Sequence, residues 1–274
     1  MNELLNNPAV QAGVAPFVVA LVVALLLHRT RLLGLALGAG FLTVVFLALG
    51  FSFESMTSVR KMIVSGIAAT VLVLVVEVAK LDAKPVIRTV LAALAAAAAV
   101  WVIWRVLQQM ETKGLLLAGA AAVIYLAALV ESGNRLGGDP VRSASAALML
   151  GLASGVLALL GASASLAQVG IAVGASAGAV LLVQMLTGKQ APTGWTLALP
   201  ANVIAGLVGL LAVFTGGLPW YSLLPTLAIP WATRVVPAGK YPVWLTAFLS
   251  ALAALVPMLL AVAIAWFTAG SSPT

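Results

Sequence analysis

An all-α, polytopic membrane bundle of about ten helices is the fold class this sequence predicts, and three observations predict it. Hydrophobic residues make up 63% of the 274 positions, charged residues 8%, and the mean hydropathy is +1.18, a balance suited to side chains solvated by lipid or by other helices. Apolar runs follow one another almost without polar sequence between them, each near the roughly 20 residues that cross a hydrocarbon core of about 30 Å. The basic residues stand singly or in pairs at the ends of those runs, where they set orientation.

Taken in order, the first run covers 14–28. It is preceded by Glu3 with no Lys or Arg and followed by Arg29 and Arg31, the reverse of a signal peptide, so an uncleaved helix with its N-terminus outside is expected. The next runs are 32–51, 61–80, 85–107, 114–131, 143–161, 165–186, 195–215, 222–235 and 243–267. The ninth is the shortest and carries Pro225 and Pro230. With ten crossings, one side collects Arg29, Arg31, Lys80, Lys84, Arg88, Arg135, Arg142, Lys189, Arg234 and Lys240, and the other only Arg60, Lys61, Arg105 and Lys113. Lys and Arg concentrate in cytoplasmic loops, so both termini are expected outside the cytoplasm. Short loops and richness in Ala, Leu, Val and Gly suggest a bacterial inner membrane.

Aromatic residues fit the same arrangement, because Trp and Tyr favour the headgroup level. Trp101 and Trp104 lie towards the end of run four, Trp195 opens run eight, Trp220 and Tyr221 lie in the following turn, Trp231 lies late in run nine, and Tyr241, Trp244 and Trp266 flank run ten. Tyr125 alone falls well inside a run.

The whole chain, 1–274, reads as one membrane domain. Its most polar linker, 133–142, separates halves 14–132 and 143–268. Five helices per half would place the halves in inverted orientation, a plan common in transporters. Ten short helices in fewer than 300 residues is a layout similar to that of drug/metabolite transporters. The likeness is one of layout, since none of that family's motifs occurs, and no family is assigned from it.

Glycine supplies the clearest local motif. Gly170, Gly174 and Gly178 recur every fourth residue in run seven, and Gly151 and Gly155 share that spacing in run six. Small residues so spaced let helix backbones approach closely in lipid, where packing rather than hydrophobicity drives association. An intramolecular hairpin of runs six and seven is expected, with a dimer face as the alternative. Gly34 and Gly38 in run two form a lesser instance.

Proline supplies the second signal: seven of thirteen, including Pro200, Pro225, Pro230 and Pro257, fall between 200 and 257. A proline inside a helix frees a carbonyl one turn earlier, and in a membrane that carbonyl must find a partner. Broken helices at membrane depth often line binding sites. Asn202, Pro200, Pro225, Pro230 and Pro257 are therefore the candidate substrate-binding residues, with kinks and inter-helix bonding as the structural alternative.

Ionisable residues inside the membrane commonly mark ion pathways, and the candidates here are few. Glu77 and Glu131 lie near helix ends, Glu77 one turn before Lys80. Glu54, Arg60 and Lys61, and Arg105, Glu111 and Lys113, read as solvated caps, while Gln168 and Gln184, near opposite ends of run seven, suit a polar path or side-chain-to-backbone bonds equally. Cysteine is absent and there is one His, so disulfides, thiolate chemistry and most metal sites have no residues to use. No catalytic motif appears, so the chain is expected not to be an enzyme; no cofactor or metal is implied, and nucleic acid is not an expected partner despite a net charge of +7. Two functions remain: a small transporter or flippase for an uncharged, amphipathic or lipid-linked substrate, or a non-transporting structural or assembly subunit of a larger membrane complex. Membrane lipids are the expected partners, with a homo-oligomer or a complex partner as further candidates.

Overall fold

A computed structural model describes residues 7–50, 56–81, 85–161, 163–190, 193, 195–237 and 239–269. Glu3, Glu54 and Lys84, together with residues 52–55 of the 52–60 loop, lie outside them. The described residues form helices α1 (Ala15–Leu27), α2 (Leu35–Val44), α3 (Ser58–Val78), α4 (Pro85–Leu107), α5 (Thr112–Asn134), α6 (Pro140–Leu160), α7 (Ala164–Thr187), α8 (Trp195–Gly216), α9 (Leu224–Ala232) and α10 (Val243–Ala269), with no strand. A π-helical turn, Val10–Val14, extends α1 at its start; a 3₁₀ turn, Arg31–Gly34, and a π turn, Val45–Leu49, extend α2. Among the described residues, nine spans are long and apolar enough to cross a membrane. The protein is a multi-pass helical bundle.

Side-chain caps account for several boundaries. Thr57 accepts from the Arg60 amide at 3.3 Å and starts α3 at Ser58, three residues before its apolar run. Asp139 accepts from the Arg142 amide at 3.2 Å and precedes Pro140 in the first turn of α6, a strong start signal because proline there sacrifices no helical hydrogen bond. With α5 running on to Asn134, the polar linker shrinks to 135–139, and much of what reads as loop is helix.

The ninth element departs most from its expected form. α9 itself has nine residues, about 14 Å of helix. It reaches farther only because 3₁₀ turns, Trp220–Leu223 and Thr233–Val235, adjoin it and rise about 2 Å per residue. Pro225 is not an interruption: it sits in the first turn of α9, where no partner is lost. Pro230 is the interior proline, and the Thr233 hydroxyl donates to its carbonyl at 2.8 Å.

α8 is the axis of the bundle. Every residue from Trp195 to Ala212 is buried, as expected of a helix apolar on all sides, and α2, α3, α4, α5, α6 and α7 surround it. Around this axis α1 packs on α2 and α7, α4 on α5, α6 on α7 and α10, and α9 on α10. The packing differs between the halves: α6 lies along α8 and α10, whereas α1 has no comparable interface with α3 or α5.

The tightest interface is α6 with α7. A Cβ added at Gly151 would fall on the Gly174 backbone nitrogen and 2.8 Å from its Cα, and one at Gly170 would fall on the backbone of Gly155. These two helices therefore run antiparallel with backbones in contact, and Gly151, Gly155, Gly170 and Gly174 occupy the seam. Gly178 stands apart, since its added Cβ would meet only Leu148 Cδ1 at 3.6 Å. A further face of α7 receives α2, where Ser176 lies against Gly40.

Candidate functional site

The candidate binding residues do not converge. Asn202 is buried in α8, donates its side-chain amide to the Ala198 carbonyl at 2.7 Å, and presses on Gly133 of α5 so closely that a Cβ there would coincide with the Asn202 Nδ2. Pro200 is buried in α8, Pro230 in α9 and Pro257 in α10, with Pro225 half-buried. α6 packs against all three of α8, α9 and α10, while α8 meets the 3₁₀ turn preceding α9 and has no extensive interface with α10. α6 thus stands between α8, which carries Pro200 and Asn202, and the α9–α10 pair, which pack on each other and carry the other three prolines.

Polar side chains gather instead at the basic end, around the start of α8. Arg31 lies 3.7 Å from Glu77, whose side chain is 3% exposed. The Thr196 hydroxyl, one residue into α8, donates to the Arg31 carbonyl at 3.1 Å. The Arg88 guanidinium stands 5.4 Å from the centre of the Trp195 ring, within cation–π range, and Gly137 brings the backbone after α5 against the same indole. Arg142 pairs with Asp139 at 3.1 Å and donates to the Val236 carbonyl. These contacts tie α2, α3, α4, α6 and the α5–α6 turn together and close this end of the bundle. Asn134 and Gln184 are also buried near helix ends, and their amides make no hydrogen bond among the described residues. Glu131, by contrast, is paired with Arg135 at 3.0 Å on the surface. No cluster of three or more His, Cys, Asp or Glu that could hold a metal occurs among the described residues.

At the opposite end the bundle opens sideways. Two adjoining cavities of about 290 and 680 Å³ share Ala121 of α5, Val213 and Phe214 of α8, and Trp220. They form one lateral cleft between α5, α8 and the turn that begins α9. Its origin is the shortness of α9: the chain leaves α8 at Gly216, passes Gly217 at φ +69°, and re-enters only as a 3₁₀ turn. The walls are apolar down to Tyr125, whose O–H donates to the Thr226 hydroxyl at 2.9 Å, which in turn donates to the Leu223 carbonyl at 2.7 Å. A chain of two hydrogen bonds thus joins α5 to α9 at the floor of the cleft.

Tyr125→Phe removes the first bond and leaves the second. It is expected to lower stability by no more than about 1.7 kcal/mol, the upper range for one inter-helix hydrogen bond in a membrane, read as a small downward shift of thermal unfolding in detergent.

Sequence reasoning singled out Tyr125 as the aromatic residue away from the interfaces but assigned it no role. It missed Asn134, which reads as linker, and the use of Arg88 and Trp195 as a sealing pair. The anomaly at Tyr125 was a usable signal, because a phenol deep in a membrane helix needs a partner. No family model matches the chain, and no curated protein or solved structure is significantly similar to it.

Proposed function

We propose that the protein is a non-enzymatic carrier of the transporter or flippase kind, taking an uncharged, amphipathic or lipid-linked substrate sideways from the bilayer through the cleft between α5, α8 and α9. The observation that carries this reading is the cleft itself: an apolar recess of several hundred Å³, ending at a hydroxyl pair, beside a core helix buried along most of its length. Apolar walls with a few placed polar groups characterise small-molecule sites, and this lining suits a hydrocarbon tail better than a hydrated solute. The concentration of basic residues at one end supports an orientation with that end in the cytoplasm and both termini outside, and the short loops and richness in Ala, Leu, Val and Gly support a bacterial inner membrane.

The close packing around α8 supports a second reading, a structural or assembly subunit in a membrane complex or homo-oligomer, in which the cleft holds a permanent lipid. Reconstitution separates the two. Vesicles containing the protein and a fluorescent phospholipid are treated with an impermeant quencher. A carrier exposes inner-leaflet label to quenching, whereas a structural subunit leaves the protected fraction equal to that of protein-free vesicles.

A further inference from the structure

Lys61 is 8% exposed although it lies only one turn inside α3, at the end of the bundle opposite the basic one. Its Nζ donates to the Trp101 carbonyl of α4 at 3.0 Å and stands 5.6 Å from the centre of that residue's ring. No carboxylate pairs with it among the described residues. An amine set into a membrane helix bundle is costly unless an anion or a polar atom meets it, and an ammonium has three hydrogens to donate.

Beside this amine runs a second lateral groove, of about 220 Å³, between α3 and α4 with α8 as its floor. Ser65 and Trp101 line it near Lys61, small residues such as Ala68 and Ala98 form its sides, and Leu72 and Leu91 close its far end. From Trp101 to Leu91 is ten residues of helix, about 15 Å. Arg60, beside Lys61 in α3, and Arg105, in the last turn of α4, add positive charge at the same end. The groove therefore presents an apolar trough below a cationic rim, the complement of an acyl chain below a phosphate. Basic pockets between membrane helices recognise anionic lipid headgroups in this way.

We propose that the α3–α4 groove is a binding site for an anionic phospholipid, with the acyl chain lying along Ala68 and Ala98 and the phosphate held by Lys61. The site is distinct from the α5–α8–α9 cleft, lies on other helices, and does not depend on the carrier reading.

Native mass spectrometry of the full chain, purified and offered equal amounts of phosphatidylglycerol and phosphatidylcholine with identical acyl chains, tests it. The unaltered protein retains phosphatidylglycerol in preference. Lys61→Gln lowers that preference roughly tenfold, the weight of one charge-assisted hydrogen bond, while Lys61→Arg keeps it. Ala68→Trp, at an exposed position, blocks the trough and reduces preferential retention with Lys61 intact. Equal retention of both lipids by the unaltered protein overturns the site, as does an undiminished preference in folded Lys61→Gln or in Ala68→Trp. Should Lys61→Gln fail to fold, the unaltered protein and Ala68→Trp still decide the matter.

Discussion

Gly151→Leu is expected to abolish accumulation of folded protein. At this position a single Cβ already falls on the Gly174 backbone nitrogen and within 2.8 Å of its Cα, and backbone, unlike a side-chain tip, cannot turn aside. Accommodating a leucine requires α6 and α7 to separate along their length, which loses the van der Waals contact that holds helices together in lipid. α6 also packs on α8 and α10, so the displacement spreads through the bundle. Overpacking of a tight core costs about 1–3 kcal/mol where neighbours can yield; here the cost is expected at or above that range, against a total stability of order 5–15 kcal/mol.

The effect should be graded along the seam. Gly170→Leu is expected to match Gly151→Leu, because its Cβ meets the Gly155 backbone. Gly174→Ala should be milder, with Leu152 Cγ at 3.0 Å and the Leu148 carbonyl at 3.1 Å as nearest neighbours, and Gly178→Ala should be tolerated, with its nearest neighbour at 3.6 Å. Fluorescence-detected size exclusion in detergent measures the folded fraction. Equal tolerance at Gly151 and Gly178 would show that the α6–α7 contact is not a backbone seam, and a stable monomer replacing a dimer in Gly174→Leu would move the stripe to a subunit interface.

Ala121→Trp is expected to reduce lipid movement in the vesicle assay to the level of protein-free vesicles while leaving the protein folded. Ala121 lines both cavities of the α5–α8–α9 cleft and is exposed, so an indole there enters the recess without displacing a buried neighbour. Leu186→Trp, on the exposed side of α7 at 74% accessibility, is the control for adding an indole to the membrane face and should leave the rate unchanged. Movement that survives Ala121→Trp would place the path elsewhere on the molecule. Unaltered protein that moves no lipid would favour the structural reading, and the cleft would then be a resident-lipid site.

Much of this architecture can be read from the chain because the bilayer imposes a simple constraint. Backbone polar groups must be satisfied within each crossing, so an apolar run of sufficient length has to be helical, and the ends of α4, α7, α8 and α10 lie within two residues of their runs. Ends set by polar capping were less legible. Thr57 and Asp139–Pro140 lengthen α3 and α6 beyond their apolar runs, since a cap is a local hydrogen bond that hydropathy does not register. The glycine spacing identified the α6–α7 seam, yet could not show that Gly178 lies off it, because that depends on the rotation of each helix against its neighbour.

The candidate sites depended still more on tertiary structure. Asn202 and the four prolines cluster in sequence, but proximity in sequence does not order helices around an axis, and α6 separates α8, with Asn202 and Pro200, from the α9–α10 pair that carries the other prolines. Lys61 reads as a solvated cap and is buried against Trp101, because a long side chain at a helix end can turn inward when a neighbouring carbonyl meets it. Composition and run length by themselves determined that this is a helical, multi-pass membrane protein with basic residues concentrated at one end, for lipid demands an apolar exterior and closed hydrogen bonding from each crossing separately. Which helix forms the axis, which glycines touch and where the bundle opens to lipid were decided only by tertiary packing, since these follow from shape complementarity among helices that are equally apolar.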